Sequence, residues 1–113
     1  MGIRQDRLSD ALRDIIANLF SGGQLSDPRL AGVSITAVKL SGDLQVASIY
    51  YRNFIDAIPD EDIKRGLFSV SGLLKHQISQ NLELRRIPEL RFFYDESIDR
   101  ANRIESLLST VKE

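Results

Sequence analysis

Between Asp60 and Leu84 the stretch DEDIKRGLFSVSGLLKHQISQNLEL carries a helical apolar rhythm with a Ser71-Gly72 interruption near its middle. At about 100° per residue, Ile63, Leu67, Val70 and Leu74 fall within about 60° of one helix face. Beyond Gly72 the row Leu74, Ile78, Leu82 steps by four. In a straight helix that row rotates by about 40° per step away from the first face. Glycine costs about 1 kcal/mol in a helix interior, so its presence beside Ser71 points to a required break, the alternative being a glycine that is merely tolerated. The pattern therefore predicts a kink at Val70, Ser71 and Gly72 that divides the segment into a helix pair. The remaining elements read as strands and helices arranged around it.

Residues 5–20 predict a first helix, because Leu8, Leu12, Ile15, Ile16 and Leu19 keep amphipathic spacing, and Gly22-Gly23 supplies its stop. Pro28 then forbids helix continuation in the turn Ser26-Asp27-Pro28-Arg29. Val33 to Leu40 is rich in β-branched residues, Ser41-Gly42-Asp43 reads as a hairpin turn, and Leu44 to Tyr51 as the return strand. Alternation puts Val46 and Tyr50 on one face and Ala47, Ile49 and Tyr51 on the other. It leaves open which face meets the helices. After a linker from Asn53 to Pro59, Asp60, Glu61 and Asp62 open the long helix, where the macrodipole favours carboxylates without any metal. Arg85-Arg86-Ile87-Pro88 ends helical structure. Leu90 to Asp95 is a short aromatic strand. Ser97 or Asp95 caps a last helix over about 97–112, with Ala101, Ile104, Leu107, Leu108 and Val111 in one stripe.

The first two strands join by a tight turn and must be antiparallel. The second and third are joined by a helical crossover, which makes them parallel within one sheet, with a right-handed connection. The expected fold class is thus α+β: a three-stranded mixed sheet with helices on one face. At 113 residues it forms one domain spanning 1–113. The absence of cysteine excludes thiolate catalysis, disulfides and cysteine zinc sites. Without an apolar run of about 20 residues or a secretory leader, no membrane role is expected and the cytoplasm is the natural compartment. A net charge of −1 offers no bulk-charge argument for nucleic-acid binding. The charges are nonetheless segregated: residues 66–94 carry four basic against two acidic side chains plus His76, whereas 95–113 is net −2.

The element order α-β-β-α-α-β matches the type II KH fold, and the wording is more specific. Asp27-Pro28-Arg29, the hairpin VSITAVKLSGDLQVASIYY from Val33, and LRRIPELRFFYDES from Leu84, followed by Ile104 and Leu107-Leu108, occur in order. With these, the chain resembles the bacterial ribosome-binding factor A family over nearly its whole length. KH domains grip nucleic-acid backbone with a GxxG loop, which this sequence lacks. In that family an Ala-x-Gly kink stands in its place, aligned here with Val70-Ser71-Gly72, so valine departs from the pattern. The resemblance implies a non-enzymatic assembly factor without cofactor, metal or small-molecule substrate. It implies binding to the immature small (30S) ribosomal subunit and help in maturing its rRNA near the 5′ end, above all in the cold. A monomer is expected.

Arg85, Arg86 and Arg91 flank Pro88, where fork-shaped guanidinium groups can clamp phosphate. The resemblance adds that Arg85 occupies the family's arginine position three residues before the proline. Lys75 and His76 lie just past the predicted kink and away from the apolar stripe, and Arg4 and Arg7 add an N-terminal contribution. Phe92 is expected in the core rather than in base stacking. A protein-interaction module docking through the sheet face or C-terminal helix is the alternative. An enzyme is disfavoured, because one exposed histidine and no cysteine leave little to build a nucleophile and base from.

Overall fold

The computed structural model describes residues 2–22, 25–97, 100–101 and 103–104. They form α1 (Gly2–Ser21), β1 (Val33–Leu40), β2 (Val46–Asn53), α2 (Asp60–Asn81) and β3 (Glu89–Tyr94), with a single 3-10 turn at Pro28–Leu30 between α1 and β1. The sheet order is β1-β2-β3, with β1 antiparallel and β3 parallel to β2. The expected three-stranded mixed sheet of a KH-like α+β fold is present. Among the described residues no helix is long and apolar enough to cross a membrane.

A β-bulge keeps both halves of β1 turned toward the helices. The β1–β2 register shifts between Ile35 and Ala37, so Thr36 is the extra residue. Its hydroxyl lies between the Tyr50 carbonyl and the Asp95 carboxylate. The bulge changes the phase of β1, so Val33 and Ile35 before it and Val38 and Leu40 after it all turn inward. Ala47, Ile49 and Tyr51 of β2 complete that face and are fully buried.

Both helices cover this inner face. Leu12, Ile16 and Leu19 of α1 join Leu74 and Ile78 of α2 against Val38, Leu40, Ala47 and Ile49. A second cluster gathers Leu30, Val33, Tyr51, Ile63 and Leu67. Val70 and Phe92 pack against both clusters, which places Phe92 in the core as its alternation predicts. The free edge of β1 is closed by α1: Gln5 Nε2 donates to the Leu40 carbonyl at 2.6 Å, and the Leu40 N–H donates to Ser9 Oγ at 3.1 Å.

The expected division at Val70-Ser71-Gly72 does not occur. The hydrogen-bonded helix α2 runs without interruption through all three residues. Its buried positions Ile63, Gly66, Leu67, Leu74 and Ile78 all fall within an arc of about 120°, so the four-residue drift stays inside one stripe. Gly72 is exposed and a Cβ there meets nothing within 4 Å, so no close approach requires glycine. The Ser71 hydroxyl donates back to the Phe68 carbonyl at 2.8 Å, satisfying itself inside the helix. The three acids at the head of α2 sit where the macrodipole favours them. Pro59 is the N-cap without a side-chain bond, and the carboxylates lie in the first turn.

The last helix begins as expected. Asp95 Oδ1 accepts the Ser97 N–H at 2.9 Å, and the Arg100 N–H donates to the Glu96 carbonyl at 2.9 Å. Residues 105–113, with most of the predicted stripe, lie outside the described residues.

Candidate functional site

The connection from α2 to β3 is pinned from below. Pro88 is fully buried, and Ile87 and Leu84 pack against the core, so the intervening Arg85 and Arg86 are left facing solvent. Together with Glu83 they line an open depression of about 800 Å³. Its other wall is the β1–β2 turn, with Asp43, Leu44 and Gln45. Among the described residues neither arginine makes an ion pair or side-chain hydrogen bond.

Asp43 does not neutralise them, because its carboxylate serves its own turn. It accepts from the Ser41 hydroxyl at 2.6 Å and from the Gln45 N–H at 3.1 Å. Those bonds, the hydroxyl first, hold its carboxyl below the usual range. Leu44 adopts φ 63°, a left-handed conformation costing a branched residue about 1 kcal/mol or more. This delays the return strand to Val46 instead of Leu44. The strained turn thus stands opposite the two arginines.

The other expected contacts are dispersed. Arg91 points from the face of the sheet opposite α1 and α2 and pairs with Glu89 at 2.5 Å. Lys75 lines a separate groove of about 310 Å³ between α2 and β3, with Lys64, Phe68 and Ser71. His76 is exposed on α2 and Arg7 on α1, both outside these hollows. The Arg4 side chain lies outside the described residues. The structure therefore gathers Arg85 with Arg86 and separates both from Arg91, Lys75, His76 and Arg7.

The first half of α2 is self-neutralised: Lys64 lies 3.3 Å from Asp60 and Arg65 3.2 Å from Asp62. Among the described residues of α2 and the α2–β3 connection, positive charge without an ion pair is left at Lys75, Arg85 and Arg86. What sequence reasoning missed is aromatic. Phe68 is 83% exposed beside Lys64 and Lys75, and Phe93 is 44% exposed on the sheet face opposite α1 and α2. Alternation against Phe92 signals the side of Phe93, but Tyr50 and Lys39 join it only through the strand register.

Comparison with known proteins gives a consistent picture. The family model of ribosome-binding factor A matches residues 4–108. The chain is 36% identical over 109 residues to ribosome-binding factor A of Geobacter sulfurreducens, covering 96% of this chain and 92% of that protein. It is 38% identical over 113 residues to that of Sorangium cellulosum, covering 97% and 90%. The fold is similar to the crystal structure of ribosome-binding factor A from Thermus thermophilus, with a TM-score of 0.71 and 28% identity over 82% of this chain and 97% of that one. It is also similar to coordinates of the Thermus thermophilus factor fitted into a cryo-EM map of its complex with the 30S subunit. There the TM-score is 0.64 at 29% identity, covering 80% and 93%.

Proposed function

The chain belongs to the ribosome-binding factor A family, and from that membership we propose that it binds the immature small ribosomal subunit and assists maturation of its rRNA near the 5′ end. It acts in the cytoplasm, as a monomer and without catalysis, and matters most in the cold. The physical basis is differential affinity. A factor that binds one RNA arrangement more tightly shifts the population toward it, and it leaves when the mature site no longer offers that arrangement. Low temperature raises the demand because misfolded RNA helices then escape slowly.

The observation that carries the RNA contact is the pair Arg85 and Arg86. Both are exposed and without an ion pair among the described residues, and they are held by buried Pro88 over an open depression. Guanidinium groups in that state offer bidentate bonds to phosphate without first breaking a partner. Arg91, Lys75, His76 and Arg7, which lie apart from it, extend the contact weakly, and Arg4 adds to it from the N-terminus.

Co-sedimentation tests the reading. Wild-type protein is expected to pellet with small subunits and not with large ones. The double variant Arg85→Glu with Arg86→Glu is expected to lose most of that binding with an unchanged circular dichroism spectrum. Equal pelleting of a folded double variant would sink the arginine clamp, and no pelleting of the wild type would sink the function.

A further inference from the structure

The face of the sheet opposite α1 and α2 carries its own pattern, read from the strand register, and the start of the last helix borders it at Ser97 and Arg100. One rung across the three strands is Lys39, Ser48 and Arg91, and the next is Ala37, Tyr50 and Phe93. Two cations about 10 Å apart thus flank a small residue, directly beside a rung that presents two aromatic rings. The Tyr50 and Phe93 rings lie 5.7 Å apart, tilted by 32°. Lys39 Nζ stands 5.6 Å from the centre of the Tyr50 ring. Phe93 is 44% exposed although nothing in its strand prevents a polar residue there.

We infer that this face is a stacking platform for unpaired RNA bases, a second contact separate from the Arg85–Arg86 depression and resting on the RNA-binding reading above. Each base has a π-face that an exposed ring can cover, and the adjoining cations take the phosphates that link successive bases. Lys39 makes no ion pair among the described residues. The Arg91–Glu89 pair is exposed on both sides, so it holds little energy against exchange for a phosphate. Asp95 and Glu96 also border this face, in a hollow shared with Ala37, Lys39 and Tyr50. Asp95 is committed to Thr36 and to the Ser97 N–H, and Glu96 lies 3.5 Å from Arg100. An apolar protein partner fits less well, because Ser48 and two cations break the surface between the rings and the rest of the sheet.

The protein reports on this site by itself. It has no tryptophan and three tyrosines, of which Tyr51 is buried, so changes in surface emission come from Tyr50 and Tyr94. Titration with an unstructured eight-nucleotide oligouridine at low salt is expected to quench tyrosine emission. Phe93→Leu keeps apolar bulk but removes the ring, and it should weaken oligouridine binding about tenfold with unchanged circular dichroism. Lys39→Ala should weaken it and reduce its salt dependence. The platform is overturned by unchanged tyrosine emission, or by a Phe93→Leu variant that binds as tightly as wild type; the latter assigns the face to apolar protein docking. Either result leaves small-subunit sedimentation intact, whereas loss of that sedimentation with oligouridine binding retained would remove the ribosomal reading and keep the platform.

Discussion

The Tyr51 hydroxyl donates a hydrogen bond to the Asp60 carboxylate across 2.6 Å, fastening the central strand β2 to the first turn of α2. The Tyr51 side chain is fully buried, while the Asp60 side chain is 50% exposed. The bond therefore holds the helix that carries Lys75 at one end and Arg85-Arg86 beyond it.

Tyr51→Phe keeps the ring packing and leaves Asp60 free to rehydrate, so its cost is that of one charge-assisted bond, about 1.5 kcal/mol. Urea unfolding should show a lower midpoint with an unchanged slope. Burial, then the bond to Asp60, pushes the phenol well above its ordinary value. A group whose folded pKa is raised contributes stability below its unfolded pKa and loses it as pH rises. Stability should therefore fall above about pH 10, where unfolded tyrosine ionises. In Tyr51→Phe that part of the fall should be missing.

Two glycines are expected to respond in opposite directions. Gly72 lies inside continuous α2 with open space at its Cβ, so Gly72→Ala should stabilise by about 0.5–1 kcal/mol through helix propensity. At Gly32 a Cβ would meet Ile55 Cγ1 at 2.6 Å, Asn53 Oδ1 at 2.8 Å and the Ile55 backbone nitrogen at 2.9 Å. Gly32→Ala should destabilise by about 1–3 kcal/mol. Thermal denaturation reads both signs, and a destabilising Gly72→Ala would reinstate the required break.

Acid stability should depend on two carboxylates. The Arg29 side chain, and then its backbone N–H, hold Asp27 down to about 2. The Ser97 and Thr36 hydroxyls, and then the Ser97 N–H, hold Asp95 down to about 2. A depressed folded pKa contributes stability above the unfolded value near 3.9 and loses it as pH falls toward 2. Asp27→Asn should therefore be less stable than wild type at pH 7, with the gap closing below pH 4. A gap that stays constant across that window would contradict the assignment.

The salt dependence of small-subunit binding should record the two arginines directly. Each neutralised phosphate contributes roughly 0.7–0.9 to the slope of log affinity against log salt. Arg85→Ala with Arg86→Ala should lower that slope by roughly 1.5, measured by sedimentation at several salt concentrations. The distant His76→Ala should leave it nearly unchanged at pH 7.

Much of the fold was readable because its signals are local. Leu12, Ile16 and Leu19 mark α1 by spacing alone, Pro88 ends the helical region, and the Ser41-Gly42-Asp43 turn pairs β1 with β2. At Ser71-Gly72 the sequence pattern calls for two helices where α2 is one, because its buried stripe is wide enough to hold Leu74 and Ile78 without a second helix. Val70, which departs from the family's alanine, is occupied with packing against both core clusters. At the site, Arg85 and Arg86 were legible as a pair by adjacency to Pro88. Grouping Arg91 with them by sequence proximity was misleading, since strand alternation sends it to the other face.

By itself the amino-acid sequence determined the order and kind of the elements and the membership of Phe92 in the core, because side-chain periodicity is set by neighbours within a few residues. Only the tertiary structure decided which sheet face the helices cover and, through the one-residue bulge at Thr36, which β1 residues share it. It alone set Lys39 and Arg91 on one rung beside Tyr50 and Phe93, and the strained turn at Leu44 opposite Arg85 and Arg86. Register depends on partners tens of residues away, and a shift of a single residue turns every following side chain to the other face.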